Sequence, residues 1–281
     1  MTIECDQFRK SQLNQAEYTK QNRSFFEKGI TILPYKRSFN LTTILFFVLV
    51  LLVFLAPAFA TSEVYTWANP SDGFFHEPQN WKCSSGSQPV EFSPYSNFVI
   101  PSFNGEHFTI SYSIDVSILL LEVDSPTATL HLYDILTADE CTWSGGTLNS
   151  NNLLSCDNLI ISKDSSKTLS HGSSVTTSAS LTFQSPVNLN LQANSLIRIA
   201  SSTTASTTGT SSIVISADEP ESCEFINLGS FYVSSPSFSL AFPFLNRGTF
   251  IIESSSHLSL SFTPNFQGNS YCGWYSFYSK R

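Results

Sequence analysis

Two nine-residue words near the C-terminal end, FINLGSFYV (225–233) and FLNRGTFII (244–252), say nearly the same thing nineteen residues apart. Laid over each other, Phe225 meets Phe244, Asn227 meets Asn246, Gly229 meets Gly248, Phe231 meets Phe250 and Val233 meets Ile252. A chain that winds in one sense and piles up offers each turn the same few inward side chains, so like words recur at one turn's length. On that reading the phenylalanines stack as aromatic rows and the asparagines form an amide ladder. The glycines let the backbone turn tightly into each strand. A related word, WSGGTLN (143–149), puts Gly146 and Leu148 in the roles of Gly229 and Phe231.

The rest of the chain after residue 60 supports strands. In HFTISYSIDVSI, Ile110, Tyr112, Ile114, Val116 and Ile118 fall at period two, as in a strand with one buried face. Similar short alternations follow, broken by Ser, Asn, Pro and Gly, and none shows a helical period. Two architectures suit many short strands: a sandwich of antiparallel hairpins and a parallel β-helix. Hairpins favour Asn-Gly or Asp-Gly turns, and only Asp72-Gly73 and Asn104-Gly105 are present. The expectation is an all-β, right-handed parallel β-helix with turns of roughly 20 residues, or about ten coils over 61–281, with a β-sandwich as the alternative. The stretch SSTTASTTGTSS (201–212) reads as a polar loop projecting from the stack. Trp67, Phe74, Phe75 and Trp81 concentrate aromatic area where an open-ended solenoid needs a cap; a sugar-stacking platform is the rival reading. At the other end, CGWYSFYSKR holds no evident amphipathic cap. Either Trp274, Tyr275, Phe277 and Tyr278 cover the last coil or the chain is a fragment.

Ahead of this body lies LTTILFFVLVLLVFLAPAFA (41–60), in which Ile44 to Leu55 carry no polar side-chain atom. It follows Lys36 and Arg37 and ends in Ala58-Phe59-Ala60, the pattern of a signal cleavage site, yet it is also long enough to span a bilayer. Residues 1–40 therefore read as a cytoplasmic or signal n-region, mostly disordered. Residues 41–60 read as a cleaved signal or a type II anchor, and 61–281 as an extracellular domain. The sequons at Asn22 and Asn40 precede the apolar run and are taken as chance.

Charge and cysteine narrow the partners. The chain carries −8 overall, divided as +3 over residues 1–40 and −11 over the remainder. An acidic body repels a phosphate backbone, which excludes nucleic acid. Five cysteines follow the apolar run, and export permits disulfides. Cys141 and Cys156 are the first choice of pair; an odd number leaves at least one thiol over, and no spacing suits zinc.

Residues 65–100 carry Trp67, then Gly73-Phe74, Asn80-Trp81, Pro89 and Asn97-x-Val99-Ile100. This resembles the opening of secreted parallel β-helix proteins, with Asn97 where an Asp is usual. The later Gly-Gly-Thr-Leu and Phe-x-Asn words resemble those of polymorphic outer-membrane and autotransporter-type surface proteins. The resemblance implies a β-helix displayed at a cell surface.

Chemistry is harder to find. Glycoside hydrolysis wants two carboxylates roughly 5 to 10 Å apart. The acids are scattered, and ADEPESCE (217–224), with Asp218, Glu219, Glu221 and Glu224, reads as a solvated loop rather than a calcium site. His171-Gly172 resembles a pair found in polygalacturonase-like β-helices, but the acidic and basic partners of that site are missing. His76, His107, His131 and His257 have no triad-like neighbours in sequence. No residue is assigned as catalytic, cofactor-binding or metal-ligating. The expected function is a cell-surface or secreted structural or adhesive module without catalysis, its partners surface glycans or other cell-surface proteins, and the membrane through 41–60 if uncleaved. The alternative is a carbohydrate-binding or carbohydrate-active β-helix. Convergence in one groove of two or more of Asp115, Asp124, Asp134, Asp139, Glu140, Asp157, Asp164 and Asp218 would favour it.

Overall fold

A computed structural model describes residues 63–68, 70–86, 94–150, 152–253, 255–262, 265–267, 270–272 and 278–279. The chain divides into two units, 1–60 and 61–281. The expectations for 1–40 and 41–60, for Pro89 and for Trp274, Tyr275 and Phe277 fall outside the described residues. No helix among the described residues is long and apolar enough to cross a membrane.

The described residues from Val64 onward form a parallel β-helix. Its strands lie in two sheets, one of fifteen strands (sheet A) and one of ten (sheet B), and the chain passes from one to the other within each coil. Among the described residues every strand pair is parallel except that of Val64–Trp67 with Trp81–Cys83. Stacked parallel pairing sets aside the sandwich, which requires antiparallel neighbours. The two repeated words occupy the positions expected: Phe225 pairs with Phe244, Asn227 with Asn246, Phe231 with Phe250 and Val233 with Ile252.

Each coil makes three straight runs. Sheet A strands such as Leu136–Trp143, Leu153–Ser162 and Ser174–Gln184 bend in the middle, where two consecutive residues face outward. Later coils split that run into two strands, as in Glu224–Asn227 and Ser230–Val233. Phe225 and Phe231 thus belong to the two arms of one bent run, and their rings stack across the bend with centroids 5.6 Å apart. The third run is the sheet B strand. Coil length varies with the bends, from 18 residues between paired Cys141 and Leu159 to 28 between paired Ile197 and Phe225 and 37 between paired Gly73 and Ile110 in the first coil. A period this uneven shows as repeated words only where two neighbouring coils happen to share a length.

The asparagine ladder forms, and it is two rungs long. Asn227 Nδ2 donates to Asn246 Oδ1 at 2.6 Å and to Thr249 O at 2.9 Å, while Asn246 Nδ2 donates to Gly248 O at 3.2 Å. Ile199 occupies the preceding rung, so Asn227 Oδ1 finds no donor among the described residues. The glycines in these words have a different reason from the expected one. Neither Gly229 nor Gly248 has a positive φ; what forbids a side chain is space. A Cβ on Gly229 would lie 2.5 Å from Ala200 O and closer still to Thr203 O.

Two further expectations are corrected. Thr204–Thr208 is a strand of sheet A, not a projecting loop, and it pairs with Ser180–Gln184 on one side and Ser230–Val233 on the other. Thr203, Ala205 and Thr207 point inward and are buried. Their hydroxyls are used: Thr203 Oγ1 donates to Thr177 O at 2.7 Å, and Thr207 Oγ1 accepts from the Ser234 and Ser235 amides at 2.8 and 2.9 Å. Second, Gly146 and Leu148 do not take the roles of Gly229 and Phe231. They lie in Gly146–Ser150 of sheet B, at a different bend, where Gly146 does adopt φ +86°.

Serine serves the corners as well. At the bends leading from sheet B to sheet A, Ser150, Ser173 and Ser195 are buried one above another. Ser173 Oγ donates to Leu148 O and Ser150 O at 3.2 and 3.1 Å, and Ser195 Oγ to Leu169 O and Ser170 O at 3.1 and 2.8 Å. Backbone groups that leave the ladder at a buried corner need partners, and a small hydroxyl supplies them without filling the core. At the next such corner Cys223 Sγ donates to Gln192 O at 3.1 Å.

The first coil is closed by aromatics. Trp67 and Trp81 face each other across the antiparallel pair, edge to face at 4.9 Å, and Phe75 packs on Trp81 and Phe98 at 4.9 and 4.7 Å. Trp67, Phe75 and Trp81 are buried and offer no platform; Phe74 alone of the four is exposed. Nearby, Tyr112 Oη both donates to Val116 O and accepts from Val116 N, each at 2.9 Å, tying down the bend between the two runs. Tyr112→Phe leaves both backbone groups without that partner in a largely buried place, and should cost about 1–3 kcal/mol in urea unfolding. A loss below about 0.5 kcal/mol would mean that the bend holds without the hydroxyl.

Cys141 and Cys156 are disulfide-bonded, on neighbouring strands with Cα atoms 6.1 Å apart. Both are buried.

Candidate binding face

Outward positions of sheet B fall into ranks running along the coil axis, because each strand contributes alternate residues to its outer face. Thr109, Thr129, Thr147 and Thr168 occupy one rank on four successive strands, and Asn190 and Ser216 continue it. The adjacent rank runs Phe74, Ser111, His131, Asn149. Tyr133, just past the end of its strand, stacks on His131 with ring centroids 4.3 Å apart and planes at 27°. Phe74 is 46% and Tyr133 53% exposed, so both rings present area to solvent.

The outward residues of these strands carry no charge, though the exposed Asp72 borders the face, its carboxylate accepting from the Thr109 amide at 2.6 Å. Lys167, in Lys167–Leu169, is the one Lys, Arg, Asp or Glu in any sheet B strand, and it is buried on the inner side. Its Nζ donates to Lys163 O at 2.6 Å and Ser165 O at 2.7 Å. Sequence reading missed it, and its only signal is that Lys167 sits at the inward phase of the Lys167-Thr168-Leu169 alternation. Burial pushes the ammonium down to about 8 from 10.5, with Asp164 opposing and Lys163 reinforcing the shift. The unfolded chain keeps this proton up to pH 10.5. Stability therefore rises as pH climbs through the interval between the two values, where the unfolded state binds more protons; below about 8 the full cost of the buried charge is present. Tyr65 and Tyr112, both raised to about 12 chiefly by burial, act oppositely above pH 10. In urea titrations from about pH 8 to 10, the wild type should gain stability relative to Lys167→Met. A constant difference between the two would contradict the lowered pKa of Lys167 in the folded chain.

The eight acids do not share a groove. Asp124 forms an ion pair with Lys163. Asp218 accepts from Asn190 Nδ2 at 2.9 Å, at the edge of sheet B. Asp164 lies by Lys167. Asp115 and Asp134 occupy bends of consecutive coils, close enough to Tyr112 for both to raise its pKa. Asp139, Glu140 and Asp157 stand at the exposed mid-strand bend of two paired sheet A strands, where Asp157 accepts from the Ser178 hydroxyl. Within each of these last two sets the acids are near one another, and all five are exposed on the outside of the coil. Glu219, Glu221 and Glu224 are exposed around the short 3-10 turn Pro220–Ser222, as expected of a solvated connection. His171 is exposed in the turn before Ser174–Gln184. Among the described residues no group of three or more His, Cys, Asp or Glu is placed to hold a metal ion. A cavity of about 20 Å³ beside Cys141, lined by Leu121, Leu130, Trp143 and Leu148, is apolar and has room for little more than a water.

Fold and face together define a class: a parallel β-helix with a hydroxyl-lined outer sheet whose strands place no charged side chain outward. No family model, no curated protein and no solved structure matches the chain.

Proposed function

We propose that this protein is an exported or membrane-anchored surface module, structural or adhesive, which acts by presenting the outside of its β-helix. The buried Cys141–Cys156 disulfide carries the reading, since disulfides persist in oxidising compartments and are rare in reducing ones. The apolar run at 41–60, with basic residues before it and Ala58-Phe59-Ala60 at its end, supports export with the β-helix on the far side. The Gly-Gly-Thr-Leu and Phe-x-Asn words, similar to those of polymorphic outer-membrane and autotransporter-type proteins, agree with display at a surface. Long ranks of Thr, Ser and Asn suit adhesion through many weak hydrogen bonds rather than one deep pocket.

The test is topology. A full-length chain with a C-terminal epitope should stain on intact cells or appear in the medium. N-terminal sequencing of the product would then separate release, with a start at Thr61, from anchorage, with a start at Met1. Staining only after permeabilisation would sink the proposal. The carbohydrate-binding alternative is favoured by one observation, the exposed Phe74 and Tyr133 rings beside the threonine rank.

A further inference from the structure

We propose that the first five strands of sheet B, from Gly73–Phe74 to Lys167–Leu169, bind a neutral, extended, β-linked polysaccharide that lies across the strands along the coil axis. The inference rests on the surface reading above and names its ligand.

Three observations converge. Phe74 and His131 stand in the same rank with Ser111 between them, hence two rungs apart. Parallel strands lie about 4.8 Å apart, so the two rings are separated by about 10 Å along the axis. An extended β-linked chain with a two-fold twist turns every second pyranose the same way up, so plates at this interval meet equivalent sugar faces. The C–H-rich face of a pyranose packs on an aromatic ring, and Tyr133, stacked on His131, widens the second plate.

Beside these plates runs the rail of Thr109, Thr129, Thr147 and Thr168, one hydroxyl per rung. Each is β-branched and stiff at χ1, so the hydroxyls are presented at a fixed repeat. Each both donates and accepts, which suits equatorial sugar hydroxyls.

Charge selects among glycans. The strands place no exposed Lys or Arg on this face to meet a uronate or sulfate, and Asp115 and Asp134 lie just beyond Tyr133 in the bends of two coils. An anionic polysaccharide would find only repulsion there. A protein partner of ordinary affinity wants a broad apolar centre, whereas this face offers isolated rings among hydroxyls.

The experiment uses the full-length chain solubilised in mild detergent and mixed with microcrystalline cellulose, chitin or insoluble β-1,4-xylan, with immobilised polygalacturonate as the anionic control. Retention is expected on at least one neutral polymer and not on polygalacturonate. The double variant Phe74→Ala/Tyr133→Ala should bind that polymer about ten-fold more weakly with an unchanged melting temperature. Should that variant misfold, Thr129→Val/Thr147→Val keeps the shape of the rail, removes two hydroxyls, and should also weaken binding. Failure to bind all three neutral polymers overturns the proposal, as does equal retention on polygalacturonate or undiminished binding by the folded variants. Epitope staining of intact cells is scored separately. Display without retention ends the glycan proposal alone, whereas absent display ends the surface reading whatever the beads retain.

Discussion

Gly248→Ala is expected to destabilise the β-helix by at least about 3 kcal/mol, although it adds a single methyl group. The added Cβ would sit 2.7 Å from Leu228 C and 2.8 Å from Leu228 O, and closer still to Gly229 O. All three are backbone atoms of the coil before. Gly229 O cannot yield, because it accepts from the Thr249 amide at 2.7 Å. Asn227 O, two residues earlier, takes the Arg247 and Gly248 amides at 2.8 and 3.0 Å. To relieve the overlap, two coils must part at the place where three hydrogen bonds and the Asn227–Asn246 amide contact hold them together. The neighbouring Arg247→Ala, at an exposed position, should change stability by no more than about 0.5 kcal/mol. Chemical unfolding of the two variants side by side measures the contrast. A Gly248→Ala protein as stable as Arg247→Ala would mean that these coils do not touch as described.

Phe231→Ala should cost about 3–5 kcal/mol, the range for deleting a fully buried aromatic ring. Phe231 is the hub of the aromatic core in this half of the chain. Its ring centroid lies 5.6 Å from Phe225, 5.4 Å from Phe238, 5.5 Å from Phe250 and 6.3 Å from Phe183. Those neighbours come from both arms of sheet A, from sheet B, from the next coil and from the coil two before. They belong to stacked rungs whose backbone is paired on both sides, so collapse into the space left behind is limited. The adjacent Tyr232→Ala removes a side chain of similar size from the outer face and should change stability by about 0.5 kcal/mol or less. Comparable losses for the two would place Phe231 outside the core.

Much of the fold was legible because the β-helix repeats itself in sequence. The FxNxGxF words set the register of two coils, since a ring, an amide and a glycine each stack on their own kind. Period-two alternation gave the strands, and Cys141 and Cys156, chosen first as a pair, are bonded. The candidate face was not legible as a face. Thr109, Thr129, Thr147 and Thr168 stand at unequal intervals in the chain and become a rank only when coils of different length align. Phe74 and Phe75 are adjacent in a cluster read as one cap, but one ring is outside and the other inside.

By itself, then, the sequence determined that strands form, that they wind as like on like, and which aromatic, amide and glycine positions meet. These follow from local periodicity and from side chains that must match across a single rung. The tertiary structure decided which polar residues are surface and which are core. Ser and Thr of 201–212 read as a loop by composition, yet Thr203 and Thr207 sit inside because paired strands flank them and corner backbone groups take their hydroxyls. Lys167 is buried for a similar reason, as two carbonyls of its own bend receive its ammonium. A hydroxyl or ammonium is tolerated in a core only where partners await it, and the position of those partners, one coil away or around a bend, is a property of the folded chain.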